Sequence, residues 1–166
     1  MIIVYLSLGS NLDDKVGYIA RAIGHIKKIS GVRFERVSSF YLTQPWGINS
    51  NNDFVNCVME IKTVLEPEEL HLLLKDIEFK VGRKDFKQNK DREIDIDIIF
   101  YGDRIINEKN LIIPHPRMHK RKFVLQPMLD LTADFKHPLL NKSIKELVLL
   151  SEDSLRVTKL NDVIID

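Results

Sequence analysis

Asp95 and Asp97 are the residues with the clearest capacity for chemistry. They lie in Arg92-Glu93-Ile94-Asp95-Ile96-Asp97-Ile98-Ile99-Phe100-Tyr101, where charged and β-branched residues alternate with the period of a half-buried strand. On a strand Asp95 and Asp97 share a face, roughly 6.5–7 Å apart, while Ile94, Ile96 and Ile98 point the other way. Two carboxylates at that spacing, set in a pocket, can share a pair of hard cations. Magnesium favours one or two carboxylates completed by phosphate oxygens, and paired metal ions usually stand about 3.5–4 Å apart. The same alternation describes a strand whose acidic face is simply solvated, so the flanking sequence decides.

That sequence is basic on both sides. Arg83-Lys84-Asp85-Phe86-Lys87-Gln88-Asn89-Lys90-Asp91-Arg92 carries five cations against two acids. Downstream, Pro114-His115-Pro116-Arg117 holds a histidine between two backbone-fixing prolines, and Arg117, Lys120, Arg121 and Lys122 cluster beside Phe123. Each cluster alone reads equally as a solvated loop. Beside two carboxylates, they are the components of a metal-nucleotide site, with guanidiniums for phosphate oxygens. Phe54 and Asn56 add an aromatic ring and a two-way amide on one strand face, which suits a planar heterocycle, although a buried Asn satisfied by backbone has the same pattern. Trp46, the sole tryptophan, lies in the polar loop 42–53, where it can cover a flat ligand or pack the loop's base.

The elements that must position these residues read in order. A buried strand over 2–8 breaks at Gly9-Ser10-Asn11, and Ser10 or Asn11 can cap a helix whose apolar face is Val16, Ile19, Ala20, Ile23, Ile26 and Ile29. With one glycine and no following Lys-Ser/Thr, the turn is not a Walker-type phosphate loop. A second strand spans 32–41 and a third 54–62. Pro67 opens a helix with Leu70, Leu73, Leu74, Ile77 and Val81 inward and Gly82 at its end. Glu78 sits near that end, where an acid opposes the helix dipole, so it calls for a specific partner. Gly102-Asp103 signals a hairpin, with Arg104-Ile105-Ile106 returning. A short helix over 118–125 is halted by Pro127, another lies near 143–150, and a last strand spans 155–165.

At 166 residues the chain suits a single domain over 1–166, with no repeats, linkers or low-complexity segments. A formal net charge of +1 provides no global field toward nucleic acid or membrane, so an anionic ligand must be met locally. The lone Cys57 excludes an internal disulfide and reads as a small core residue. The apolar Met1–Leu6 stretch is too short to span a bilayer and lacks the basic region of a signal peptide, so cytoplasmic residence is expected.

Several segments together carry a family resemblance. Leu8-Gly9-Ser10-Asn11-Leu12, Ser39-Phe40-Tyr41-x-Thr43, Phe54-x-Asn56, Arg92-x-x-Asp95-Ile96-Asp97-Ile98, Tyr101-Gly102, Ile113-Pro114-His115-Pro116-Arg117-Met118 and Arg121-x-Phe123-Val124-Leu125-x-Pro127 occur in one order and spacing. The set, from about Ile3 to about Pro138, closely resembles the 6-hydroxymethyl-7,8-dihydropterin pyrophosphokinases of folate biosynthesis. The resemblance implies an α+β, ferredoxin-like fold: an antiparallel central sheet with helices packed on it. It implies transfer of the β,γ-pyrophosphate of ATP to the pterin hydroxymethyl group, releasing AMP, with two Mg²⁺ ions on Asp95 and Asp97. Arg92, Asp95, Asp97 and Arg121 would be catalytic. Thr43, Pro45, Trp46, Phe54, Asn56 and Phe123 would meet the pterin, with Phe54 and Phe123 as a sandwich. Glu78, Arg83, Arg92, Ile98, Leu111, His115 and Arg121 would meet ATP, with Ile98 and Leu111 lining the adenine pocket. A monomer acting on small molecules, without nucleic acid or membrane, is expected.

One stretch departs from the family pattern. The usual Arg-Trp-Gly-Pro-Arg run before the aspartates reads here Gln88-Asn89-Lys90-Asp91-Arg92; Arg92 is kept, and Lys87, Lys90 or Phe86 are candidates to replace the rest. The departure bears on closure of loops 43–53 and 83–91 over the site and on rate. It also keeps open a non-catalytic pterin- or nucleotide-binding relative. A metal-dependent glycosyltransferase using Asp-x-Asp is disfavoured by length and by the absent Rossmann-like pattern. No residue is an evident general base; Asp97 is the best placed.

Overall fold

The central strand is β1 (Ile2–Ser10), paired along its whole length on one side and over Val4–Gly9 on the other. In the computed structural model, which describes residues 1–85, 90–161 and 163, it runs antiparallel to β4 (Phe54–Thr63) on one side and to β5 (Asp95–Tyr101) on the other. Between β1 and β4 come α1 (Lys15–Ile26), β2 (Val32–Val37) and β3 (Tyr41–Thr43); α2 (Pro67–Val81) joins β4 to β5. This β-α-β-β-β-α-β run, in which β2 and β3 both pair with β4, gives an antiparallel sheet ordered β5-β1-β4-β3, which is the expected ferredoxin-like arrangement. After β5 follow β6 (Ile106–Glu108), β7 (Leu111–Ile113), a 3₁₀ turn at Met118–Lys120, α3 (Lys122–Leu131), α4 (Ile144–Leu150) and β8 (Val157–Lys159), which extends the sheet beyond β3.

Strand alternation divides the sheet into two faces. Val4, Leu6 and Leu8 of β1, Val55, Cys57, Met59 and Ile61 of β4, and Ile96 and Ile98 of β5 form one core with α1 and α2. The helices contribute Ile19, Ala22, Ile23 and Ile26, and Leu70, Leu74, Ile77 and Val81, at helical spacing. On the other face Tyr5, Val58, Ile99 and Phe100 meet Val124, Leu125, Met128 and Leu131 of α3 and Ile144 and Leu147 of α4. The β1–β5 register shifts between Tyr5 and Leu6, from Phe100 to Ile98, so Ile99 is an extra residue on β5. α3 and α4 cover only part of this second face. The remainder, bearing Ser7, Gly9, Phe54, Asn56, Asp95 and Asp97, floors a cleft.

Several sequence expectations are corrected. The strand expected over 32–41 is two strands. At the break Ser38 N still donates to Val58 O at 2.9 Å, but Val58 N turns to Ser38 Oγ at 2.9 Å and Ser39 N to Asp130 Oδ2 at 3.1 Å, so side-chain oxygens interrupt the ladder there. Gly102 does make a turn, but β6 pairs with β7, not with β5. α1 is capped by Asp14, whose carboxylate accepts from Gly17 N at 3.0 Å, and Ala22, not Ala20, is its buried alanine. Pro127 lies inside α3 and does not halt it. A proline inside a helix costs about 3 kcal/mol, from the lost hydrogen bond and the ring's clash with the preceding turn. Burial of Val124, Leu125, Met128 and Leu131, at about 1.5–3 kcal/mol for each side chain, outweighs it. The last strand is three residues long; part of the expected 155–165 span lies outside the described residues. No described helix is long and apolar enough to cross a membrane.

Leu74 is fully buried where α2 meets the sheet. Leu74→Ala is expected to lower the unfolding free energy by about 2–5 kcal/mol, read as a lower urea midpoint at unchanged m-value.

Candidate active site

Register fixes the floor of the cleft. Ser7 pairs with Asp97, Gly9 with both Asp95 and Asn56, and Thr43 with Phe54. Asn56 is buried and donates from Nδ2 to Thr43 Oγ1 at 2.7 Å. Gly9 makes room for it: a Cβ there would lie 2.4 Å from Asn56 Oδ1. The adjacent Thr43 and Asn56 therefore present a fixed amide-hydroxyl pair beside Phe54.

The wall under α2 is an ion network. Glu78 is completely buried and accepts from Lys75 Nζ at 2.6 Å, Arg83 Nη1 at 2.7 Å and Ile96 N at 2.7 Å. The specific partner that its position in the helix demanded is thus threefold. Arg83 Nη1 also reaches Asp95 Oδ1 at 2.7 Å, and Arg92 Nη1 lies 3.1 Å from Asp95 Oδ2. Burial pushes the Asp95 carboxyl up, but Arg92, Lys75 and Arg83 together hold it below the ordinary carboxylate range. Burial raises Glu78, against the pull of Lys75 and Arg83. Lys75 ends above its ordinary value: burial opposes its charge, and Asp97, Glu78 and Asp95 more than compensate.

The opposite wall is cationic and aromatic. His115 Nδ1 accepts from Arg117 N at 3.2 Å, and its Nε2 lies 4.0 Å from Asp97 Oδ2. Burial, with Arg121 and Arg117 nearby, depresses the imidazole pKa despite Asp97, so the ring is neutral at pH 7. Arg121 Nη1 lies 3.4 Å from the same Nε2, its guanidinium 4.8 Å from the Trp46 ring centre and 5.4 Å from that of Phe123. Burial first, then Arg117 and Arg92, push Arg121 down to about 10, a cation with too little compensating charge. Among the described residues, Nε of both Arg92 and Arg121 is buried without a hydrogen-bond partner. Those donors suit an anion in the cleft.

The cleft holds about 330 Å³ and gathers Thr43, Trp46, Phe54, Asn56, Glu78, Arg83, Arg92, Asp95, Asp97, His115, Arg121 and Phe123. Pro45 does not line it. The side chains of Ile98 and Leu111, expected to line an adenine pocket, belong to the core under α1 and α2. Period-2 alternation requires this of Ile98, one residue from Asp97. Lys90 pairs with Asp85 at 3.2 Å, away from the cleft; Phe86 and Lys87 lie outside the described residues. Sequence reasoning missed Ser7, Gln44, Ile48, Lys75 and Ile99. Lys75 had a signal, its i,i+3 spacing to Glu78; Ser7 had none without the sheet register.

The donor set suits a hard divalent cation. Asp95 and Asp97 offer carboxylate oxygens on one face, and an oxygen already accepting from a guanidinium keeps a second lone pair. Among the described residues no three His, Cys, Asp or Glu side chains converge as a ligand cage, so a cation here needs ligand oxygens as well.

Fold and cleft define a ferredoxin-like domain with the charge arrangement of an enzyme handling phosphate esters. The family model described as 7,8-dihydro-6-hydroxymethylpterin-pyrophosphokinase (HPPK) matches residues 5–133, and the chain belongs to that family. The 2-amino-4-hydroxy-6-hydroxymethyldihydropteridine pyrophosphokinase of Aquifex aeolicus is 40% identical over 146 residues, covering 88% of this chain and 90% of that one. Its Haemophilus influenzae counterpart is 37% identical over 161 residues, 97% and 99% of the two chains. The Plasmodium falciparum HPPK-DHPS crystal structure with pteroate shares the fold, with a TM-score of 0.74 at 18% identity over 90% of this chain. The chain spans 44% of that larger structure.

Removing the Glu78 carboxylate would leave Lys75 and Arg83 without it in a buried site. Glu78→Ala is expected to cost about 3–5 kcal/mol in urea unfolding, with Glu78→Gln costing less because it keeps the acceptor for Ile96 N.

Proposed function

We propose that the cleft transfers the terminal diphosphate of ATP to the hydroxymethyl group of 6-hydroxymethyl-7,8-dihydropterin, releasing AMP, as a step of folate biosynthesis. The observation that carries this reading is one cleft in which Asp95 and Asp97 face Arg92, Arg121 and His115 beside the Thr43–Asn56 pair and the Phe54 and Phe123 rings. One copy of the chain supplies all of these residues.

In this reading the pterin's hydrogen-bonding edge meets Asn56 and Thr43, and its ring lies against Phe54 and Phe123. The triphosphate runs along the cationic wall, where the Nε groups of Arg92 and Arg121, without partners among the described residues, are donors and His115 lies alongside. Asp95 and Asp97 would hold two Mg²⁺ ions, which supply neutralisation of phosphate charge when bound. The pterin hydroxyl oxygen forms a bond to the β-phosphorus, the bond from that phosphorus to the α,β-bridging oxygen breaks, and AMP leaves with that oxygen. Asp97 is assigned to accept the hydroxyl proton. Such a transfer depends mainly on alignment and charge stabilisation, which rigid strands and buried guanidiniums provide.

With ATP, Mg²⁺ and the hydroxymethyl pterin, the purified protein should form AMP and no ADP, scored by ion-exchange chromatography. Chelation should stop the reaction and Mg²⁺ restore it; Asp97→Asn should lower kcat at least about 100-fold. ADP as product, or Asp97→Asn at wild-type rate, overturns the assignment. Tight pterin binding without turnover would identify a binding protein instead.

A further inference from the structure

Just before Arg92, the stretch that departs most from the family pattern carries a carboxylate tying three segments together. Asp91 Oδ1 accepts from Asn11 Nδ2 and Asp91 Oδ2 from Asn52 Nδ2, both at 2.7 Å. Asn11 follows β1 and is buried; Asn52 is on the far shoulder of the loop between β3 and β4. Asn11 in turn clasps the backbone of Arg92: its Oδ1 accepts from Arg92 N at 2.8 Å and its N donates to Arg92 O at 3.2 Å. Asn11 Nδ2 also reaches Asn52 O at 3.4 Å, and Ser50 Oγ caps Asn52 N at 3.0 Å. At the base of the loop, Gln44 N donates to Arg156 O and Arg156 N to Gln44 Oε1, at 3.1 and 2.8 Å, while Arg156 Nη2 holds Asp53 at 2.9 Å. Between these anchors lie Trp46 and Ile48, which line the cleft.

We propose that Asp91 is a positioning residue: it locks the Trp46 loop to the Arg92 backbone through Asn11 and Asn52, so that the two sides of the cleft are in register before substrates bind. The geometry favours this over a merely solvated turn. Both carboxylate oxygens are engaged by side-chain amides from segments 80 and 39 residues away in sequence. A carboxylate is also the only protein side chain that can accept from two such amide N–H groups without offering a competing donor of its own. Asp91 does not touch the cleft, and its effect on catalysis runs through Arg92 and Trp46.

Preorganisation lost from the free protein is recovered when ligands hold the loop, so the loss falls on binding more than on turnover. The inference rests on the proposed pyrophosphoryl transfer for its kinetic arm only. Its second arm uses Trp46, the sole tryptophan, as a reporter of loop position in the ligand-free protein. Asp91→Ala should raise acrylamide quenching of Trp46 about twofold and raise KM for ATP and the pterin about tenfold with kcat within about twofold of wild type. Asp91→Asn, which keeps one acceptor oxygen, should lie between. Asn52→Ala and Asp91→Ala should be non-additive in quenching, as residues sharing one bond are. Wild-type quenching in Asp91→Ala, or additive effects of the two variants, overturns the lock. A loss confined to kcat also overturns it. If the wild-type protein forms no AMP, the pyrophosphokinase reading fails, and the quenching series still decides the lock.

Discussion

The site depends on one geometric constraint, the two-residue alternation of β5. Isoleucines on its first face are fastened under α1 and α2, and that burial fixes the register in which Asp95 and Asp97 emerge on the other. A one-residue slip would bury both carboxylates in the apolar core, so the same contacts that stabilise the fold hold the carboxylates in the cleft. The extra residue at Ile99 then restores apolar side chains to the second face where α3 and α4 cover it. The cleft is the part of that face left uncovered.

Charge inside the cleft is arranged in two unlike sets. Under α2, carboxylates and cations are paired within the protein: Glu78 with Lys75 and Arg83, Asp95 with Arg83 and Arg92. Across from them Arg121 has neighbours that repel it and a buried Nε without a partner among the described residues. The first set stiffens the wall; the second gains from an incoming polyanion. An ATP phosphate chain, as proposed, would supply the missing negative charge.

Much of this was legible in the sequence because it followed from short-range periodicity. The β5 alternation, the α2 face and the Phe54–Asn56 pair all emerged from spacing alone, and the antiparallel ferredoxin-like sheet followed from resemblance. What was not legible depended on contacts distant in sequence. The break at Ser38 needs Val58 and Asp130, and the engagement of Asp91 needs Asn11 and Asn52. Ile98, which the resemblance implies lines the adenine pocket, has its side chain turned into the core by its own strand period. Local propensity makes Pro127 a terminator because it ignores the tertiary burial that outweighs it.

One sheet face, as proposed, would bring a two-metal ATP site and a pterin site together. Diffraction from crystals of the complex with Mg²⁺, a non-transferable α,β-methylene ATP analogue and the hydroxymethyl pterin tests it most directly. The account predicts two metal ions bound by Asp95 and Asp97, phosphates on Arg92 and Arg121, and the pterin against Asn56 with its hydroxyl facing the β-phosphorus. Nucleotide bound away from Asp95 and Asp97, or a pterin outside the Phe54–Asn56 corner, would contradict it.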